Sequence, residues 1–169
     1  MQLLWPGLNE NDSVIIALKP EDFCLAKNSI EITGDRFMPK KELHVTVIGS
    51  KLGLILQQEI KLDQTIKQSL ENTFENIDWS FKQTASVHML SRSKNNTVEK
   101  SIIMRIEMPG MLEFYDQLKS LGLLEAGTPV PPPHVTLYTH HCPSGIGVPS
   151  DEILDILTTK ILTLNPDIS

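Results

Sequence analysis

Two histidines open the same four-residue word. His-Val-Thr-Val occupies residues 44–47 and His-Val-Thr-Leu occupies residues 134–137 of a chain of 169 residues that contains five histidines. Imidazole has an ordinary pKa near 6.5 and serves as a general acid or a general base, and a threonine hydroxyl donates hydrogen bonds to anionic oxygens. The repeated word is therefore the strongest indication of chemistry in this sequence.

A β-strand would make each word present its two polar side chains together. Residues two apart share one face of a strand, so His44 and Thr46 are predicted to project on one side while the aliphatic residues beside them enter the core. The same alternation pairs His134 with Thr136. If the two strands face one another across a cleft, the cleft contains two imidazoles and two hydroxyls.

A phosphodiester suits this set of side chains. In the transition state at phosphorus the entering and leaving oxygens lie on opposite sides, so a neutral and a protonated histidine on two different strands can act as base and acid. The equatorial oxygens carry the charge, which the hydroxyls of Thr46 and Thr136 are placed to meet. Such a reaction requires no metal ion and no other cofactor.

Hydrophobic patterning predicts the strands that must carry these words. The run at residues 13–20 is apolar and is stopped by a proline, and the "SKNN" turn separates two alternating runs that suit an antiparallel hairpin. Strands are predicted at "SVIIALKP", weakly at "SIEIT", and at "ELHVTVIGS", "DWSFKQT", "ASVHMLSR", "TVEKSIIMRIEM" and "HVTLYT". Proline at residues 131–133 is expected to stiffen the entrance to the last of them.

Helical periodicity predicts three helices. The first lies within residues 54–74, the second runs from Met111 to Leu121 and ends at Gly122, and the third lies in the tail with Ser150 as its N-cap. The apolar stripe of the first contains Leu62, Ile66, Leu70 and Phe74, and the inner side of the third contains Ile153, Leu157 and Ile161. Since one helix follows the first word and another precedes the second, we expect two α+β lobes of similar construction.

Bulk properties limit the partners. A net charge of -6 and a pI near 5.3 argue against binding of extended duplex nucleic acid through a broad basic surface. Binding of a nucleotide or of one end of an RNA is compatible with these values. The N-terminus lacks a signal-peptide pattern, no apolar run reaches membrane-spanning length, and Cys24 and Cys142 are predicted to be reduced thiols. We expect a cytoplasmic protein without a membrane contact or an obligate protein partner.

Three further residues are candidate substrate contacts. Tyr138 follows Thr136 on the predicted face, so it either stacks on a base or packs on a neighbouring strand. Arg105, on the polar side of its strand, either meets the substrate or forms a surface ion pair, and Lys51 has the same two interpretations.

The adjacent His140 and His141 suggest a ligand pair, with His88 or Cys142 as a third ligand. Neighbouring residues of an extended chain point to opposite faces, which disfavours one shared metal ion, so no metal site is predicted. His140 has the parity of His134 and can line the mouth of the cleft. The alternative for the pair is a solvated loop.

Two His-x-Thr-x words, one in each half of a chain of this length, together with an early "ALKP" strand, resemble the 2H phosphoesterase superfamily, which includes RNA 2′,3′-cyclic phosphodiesterases also described as 2′-5′ RNA ligases. The resemblance covers most of the chain up to the "HVTLYT" strand. It implies an α+β fold in a single domain over residues 1–169, with two pseudo-symmetric lobes of mostly antiparallel sheet and flanking helices around a central cleft. It also implies that His44 and His134 are the acid and base and that Thr46 and Thr136 bind phosphate.

Three functions remain open at this point. The leading hypothesis is a metal-independent phosphodiesterase that hydrolyses a 2′,3′-cyclic phosphate or a 2′-5′ phosphodiester in a nucleotide or short RNA. The second is a non-catalytic module that binds a nucleotide or an RNA end in the same cleft. The third is a metal-dependent hydrolase built around His140 and His141.

Overall fold

Antiparallel pairing organises the strands. The computed structural model describes residues 1–23, 25–26 and 28–162. In this part of the chain the strands are β1 Val14–Leu18, β2 Ile30–Ile32, β3 Asp35–Pro39, β4 Leu43–Ile48, β5 Lys82–Lys94, β6 Thr97–Glu107, β7 His134–His140 and β8 Thr158–Leu162. The helices are α1 Ser50–Leu62, α2 Gln64–Asn76, α3 Pro109–Ser120 and α4 Asp151–Leu157.

The strands form a curled, antiparallel arrangement in two hydrogen-bonded sheets. One sheet has the order β2-β3-β7-β6-β5-β8, and the other consists of β1 and β4. The backbone N–H of Lys40 also donates to the carbonyl of Leu137 at 2.8 Å, so the segment that enters β4 is tied to β7. The predicted mixture of helices with antiparallel strands is confirmed.

The β5–β6 hairpin matches the prediction from the "SKNN" turn. Asn95 and Asn96 have φ values of 50° and 60°, the left-handed conformation that a tight two-residue hairpin requires at both central positions. Residues 82–94 form one long strand with a register shift between Gln83 and Val87. "DWSF" therefore precedes the strand, and Trp79 is buried in the core, where its indole N–H donates to the carbonyl of Phe74.

Two apolar clusters lie on opposite sides of the six-stranded sheet. The larger contains Met104 and Ile106 of β6 with the inner faces of α1, α2 and α3, and it continues beneath β1 and β4. The smaller places Ile103 and Leu90 against Cys142, Ile146, Val148 and Leu154. The predicted division of β6 into two faces is confirmed, because the even-numbered residues from Ile102 to Met108 belong to the larger cluster.

The helix predicted within residues 54–74 is two helices. The chain is extended at Asp63, with φ −142° and ψ 107°, and the Asp63 carboxylate accepts a hydrogen bond from the backbone N–H of Thr65 as the N-cap of α2. Leu70 and Phe74 are buried as expected, but Leu62 is 89% exposed. An aspartate cap inside an apolar stripe was the signal for this break.

The C-terminal prediction is half correct. Ser150 caps α4 as expected, its hydroxyl accepting from the backbone N–H of Ile153 at 3.3 Å. The helix ends at Leu157, however, and the next residues form β8, which pairs with β5 and leaves Ile161 69% exposed. Strand β3, which pairs with β2, was not predicted, because a turn was expected at Gly34 and Asp35 and β3 begins at Asp35.

Within the described residues, no helix combines the length and the apolar character that crossing a bilayer would require.

Replacing Gly110 with Ala tests the packing of α3. An added Cβ would lie 2.6 Å from Cγ2 of Ile77 and closer still to the carbonyl oxygen of Asp78, so the helix must move. We expect a loss of about 1–3 kcal/mol in the free energy of unfolding, measured by urea denaturation. Gly127→Ala is the control, because its added Cβ meets no atom within 4 Å; equal stability of the two variants would contradict this account.

Candidate functional site

The first word lies on β4, and its two polar side chains point away from the larger core. Leu43, Val45 and Val47 are buried in that core, whereas His44 and Thr46 are half-buried on the other side of the strand. Tyr115 of α3 fixes the end of the strand, since its buried hydroxyl donates to the carbonyl of Val47 at 2.9 Å. The predicted alternation places both polar side chains of the word on one face.

The second word lies on β7, and its side chains alternate between the larger core and the opposite face in the same way. Val135 and Leu137 are buried in the same core as the valines of β4, and His134 and Thr136 are half-buried. β4 and β7 pack next to one another. The two histidines and two threonines are therefore brought to the same side of a shared core, from two neighbouring strands.

The two words also have similar strand partners. In the β1–β4 pair, Thr46 lies opposite Ile15 and His44 lies opposite Ala17. In the β6–β7 pair, Thr136 lies opposite Ile103, whereas His134 lies opposite Arg105. The threonines have equivalent neighbours, and the histidines differ in having a small apolar side chain or a cation beside them.

The surroundings of His134 orient its ring. Nδ1 lies 2.7 Å from the carbonyl oxygen of Pro132, and this contact requires Nδ1 to carry the proton and donate it, which leaves Nε2 for a ligand. Burial lowers the pKa of His134, the Pro132 hydrogen bond raises it, and the charges of Arg105 and His44 lower it. The effect of His44 means that the two imidazoles are near enough to repel one another when both are protonated.

His44 has a lowered pKa for a related reason. Burial has the largest effect and lowers the pKa, the Lys40 ammonium lowers it further, and the Glu42 carboxylate raises it. Both imidazoles therefore favour the neutral form more than a free histidine does. An anion bound between them would favour protonation of either one.

Arg105 is positioned by α4. Its guanidinium Nη1 donates to the Asp151 carboxylate at 3.0 Å, and Asp151 lies in the first turn of the helix that Ser150 caps. Its Nε is buried and has no hydrogen-bond partner among the described residues. The sequence was compatible with either a substrate contact or an ion pair at Arg105. The ion pair with Asp151 is present, and it leaves the Nε donor of Arg105 without a partner among the described residues.

Tyr138 does not lie on the face that the sequence predicted. The register of β6 and β7 shifts between Ile102 and Ile103, so Thr136 pairs with Ile103 but Tyr138 pairs with Ile102, on the side of the larger core. Tyr138 is 6% exposed, and its hydroxyl accepts from the backbone N–H of Ala26 at 2.8 Å. A bulge reverses the alternation, and sequence parity has no signal for it.

The adjacent histidines also depart from the expected opposite directions. His141 has φ 59° and leaves the strand, so its ring stacks on His140 with centroids 3.9 Å apart. His140 is held by the carbonyl of Arg36 at 2.8 Å and by the carboxylate of Asp35 at 3.6 Å. In the described part of the chain, no group of three or more His, Cys, Asp or Glu residues could hold a metal ion.

The other two candidate ligands, His88 and Cys142, each contact hydroxyl groups. His88 is on β5, where its ring contacts the hydroxyls of Ser86 at 2.9 Å and Thr158 at 3.2 Å. Cys142 is a buried free thiol beside the Ser101 hydroxyl, while Cys24 lies outside the described residues. Burial lowers the pKa of His88, as does the charge of Arg105, while Asp155 raises it.

A glycine loop covers the second threonine. Gly145 has φ +84°, and a Cβ added to it would lie 3.2 Å from both Oγ1 and Cγ2 of Thr136. The loop is fixed by the backbone N–H of Ile146, which donates to the buried Ser101 hydroxyl at 3.0 Å. The "PSGIG" segment was not singled out from the sequence, although glycine next to a motif strand was the available signal.

Two cavities adjoin these elements. One, of about 440 Å³, lies between residues 39–42 and 139–143, at the entrance of β4 and the exit of β7. The other, of about 550 Å³, lies between α1 and residues 123–129 and contains Lys51. Neither is lined by His44 or His134.

Comparison with protein-family models, with curated proteins and with solved structures gives no match. Functional interpretation therefore depends on the residues and geometry of this chain.

The electrostatics of the two words can be tested by NMR titration of the histidine ring protons. We expect the pKa values of His44 and His134 to lie below 6.5. Arg105→Gln removes a cation, so it should raise the pKa of His134 and of His88 while changing that of His44 less. Arg92→Gln, at the distal hairpin, is the control; an unchanged His134 pKa in the Arg105 variant would contradict the assigned proximity.

Proposed function

We propose that this protein is a metal-independent phosphodiesterase that uses His44 and His134 as a paired general acid and base. Its substrate class is a 2′,3′-cyclic phosphate or a 2′-5′ phosphodiester in a nucleotide or short RNA. The proposal is supported above all by one observation: two His-x-Thr words on neighbouring strands present their polar side chains on the same side of one shared core.

The chemistry assigns each group a task. One neutral imidazole accepts a proton from the attacking water, and one protonated imidazole donates a proton to the leaving ribose oxygen as the P–O bond breaks. Thr46 and Thr136 donate hydrogen bonds to the non-bridging oxygens, where negative charge accumulates. For His134 the reactive atom is Nε2, since Nδ1 is bonded to the Pro132 carbonyl.

Arg105 is a third candidate phosphate contact. It lies opposite His134 in the neighbouring strand, and its buried Nε has no hydrogen-bond partner among the described residues. A guanidinium presents several donors in a fixed plane, which suits two oxygens of one phosphate. Its ion pair with Asp151, a largely exposed carboxylate, is of the kind that contributes little net stability and can exchange for a ligand.

We infer the finer architecture from the strand partners of the words. The β1–β4 and β6–β7 pairs each place an isoleucine opposite the motif threonine, which is what two lobes related by a pseudo-twofold axis would produce. The catalytic cleft would then lie between β4 and β7. Tyr138 has no part in this cleft, because it is buried on the other side of β7.

Alanine replacement of each histidine is the direct test of function. In the presence of EDTA, we expect wild-type protein to cleave at least one of a set of 2′,3′-cyclic nucleotides and 2′-5′ dinucleotides, with products resolved by mass spectrometry. His44→Ala and His134→Ala should each lower turnover by about 10²–10⁴-fold, the usual value of one general acid or base. His88→Ala is the matched control, since that ring bonds to Ser86 and Thr158 instead.

Two results would redirect the assignment. Cleavage that survives both motif variants would remove the histidines from the chemistry. Wild-type binding of the same nucleotides without any product would favour the binding module over the enzyme.

The pH dependence follows from the lowered pKa values. A reaction that needs one neutral and one protonated histidine has a bell-shaped kcat/KM profile, and because both pKa values lie below 6.5 its maximum should fall on the acid side of that pH. Arg105→Gln should move the profile to higher pH, since loss of a neighbouring cation raises the pKa of His134. A maximum well above pH 7 in the wild type would contradict this prediction.

A further inference from the structure

We propose that the cavity between the entrance of β4 and the exit of β7 is an anion subsite that receives a second phosphate group of the ligand. The inference rests on the proposed function, because it places the subsite beside the phosphate bound by the two words. It makes the preferred ligand a nucleotide with a further phosphate, and not a nucleoside with a single cyclic phosphate.

The charge of the cavity lining favours an anionic ligand. Lys40 and Lys41 line it together with a single carboxylate, that of Glu42, so these charged side chains have a net charge of +1. The chain as a whole has a net charge of -6, so this is a local reversal of its sign. A cavity with an excess of cationic side chains concentrates anionic ligands.

Within the described residues the lysines of this cavity have no carboxylate partner, in contrast to three cations of β5 and β6. Arg92, Lys100 and Arg105 each form an ion pair with a carboxylate. Lys40 instead donates to the carbonyl of Pro143 at 2.8 Å, a neutral partner, and within the described residues neither Lys40 nor Lys41 forms an ion pair. Their charge is therefore available to a ligand.

The backbone and ring geometry fix His141 at the cavity. Its φ of 59° is uncommon for a residue other than glycine, and such conformations persist where surrounding contacts hold them. The stack on His140, which is itself anchored by the Arg36 carbonyl, provides that support. The imidazole of His141 is thus a preformed part of the lining.

The cavity is connected to both words. Residues 40–42 lead directly into the strand of His44, and the Lys40 charge is felt by that imidazole. On the other side, the Lys40 ammonium holds Pro143, which belongs to the loop whose Gly145 contacts Thr136. Thr139, which also lines the cavity, pairs with Ser101, whose hydroxyl accepts from Ile146 of the smaller cluster, so Thr139 and Thr136 lie on the same side of β7.

Binding of non-cleavable nucleotides tests the subsite separately from catalysis. Calorimetry would compare adenosine 2′-monophosphate with adenosine 2′,5′-bisphosphate and with adenosine 2′-phosphate 5′-diphosphate, none of which contains a phosphodiester. In the wild type we expect at least one ligand with a further phosphate to bind roughly tenfold more tightly than the monophosphate, as two nearby cations allow at low salt.

The variant Lys40→Met/Lys41→Met should abolish that preference, which is a ratio of affinities measured within one variant and does not require the affinity for the monophosphate to stay unchanged. Lys61→Met/Lys67→Met, at two exposed lysines of α1 and α2, is the charge-matched control and should keep the preference. Lys41→Glu provides a second test, because it reverses charge at an exposed position and should weaken binding of the bisphosphate selectively.

The outcomes separate this proposal from the one it rests on. Equal affinity of wild-type protein for all three ligands, no binding of any of them, or a preference that persists in the double-lysine variant would overturn the subsite. Absence of cleavage together with a lysine-dependent preference would instead overturn the phosphodiesterase and leave the anion site standing.

Discussion

The shared core beneath β4 and β7 is the constraint on which the candidate site depends. Val45 and Val47 from one strand and Val135 and Leu137 from the other are buried in a single apolar cluster. Burial of these side chains leaves the intervening residues one available direction, because a strand alternates its faces. Packing that stabilises the fold is thus the same packing that aligns the polar side chains.

The two halves of the site are alike in position and different in charge. Each threonine lies opposite an isoleucine, yet His44 lies opposite Ala17 and His134 opposite Arg105. Unequal surroundings give the two imidazoles different pKa values, which suits a reaction that needs one acid and one base. Arg105 supplies such an inequality, and its position is set by Asp151 at the start of α4.

Irregular backbone determines which neighbours reach the site. The shift in register on β7 moves Tyr138 into the core, and the left-handed conformation at His141 turns that ring onto His140. Gly145 allows its loop to approach Thr136 closely. The first two of these deviations replace the alternation that a regular strand would have given.

The sequence by itself determined the antiparallel hairpin at Asn95 and Asn96, the cap at Ser150 and the outward direction of the two words, because each depends on local turn chemistry or on strand periodicity. Only the tertiary structure decided that the two words share one core and that a cationic cavity adjoins them. The pairing of β8 and the burial of Tyr138 were also beyond local reasoning. They depend on strand register and on contacts between residues far apart in the chain, which a periodic pattern does not encode.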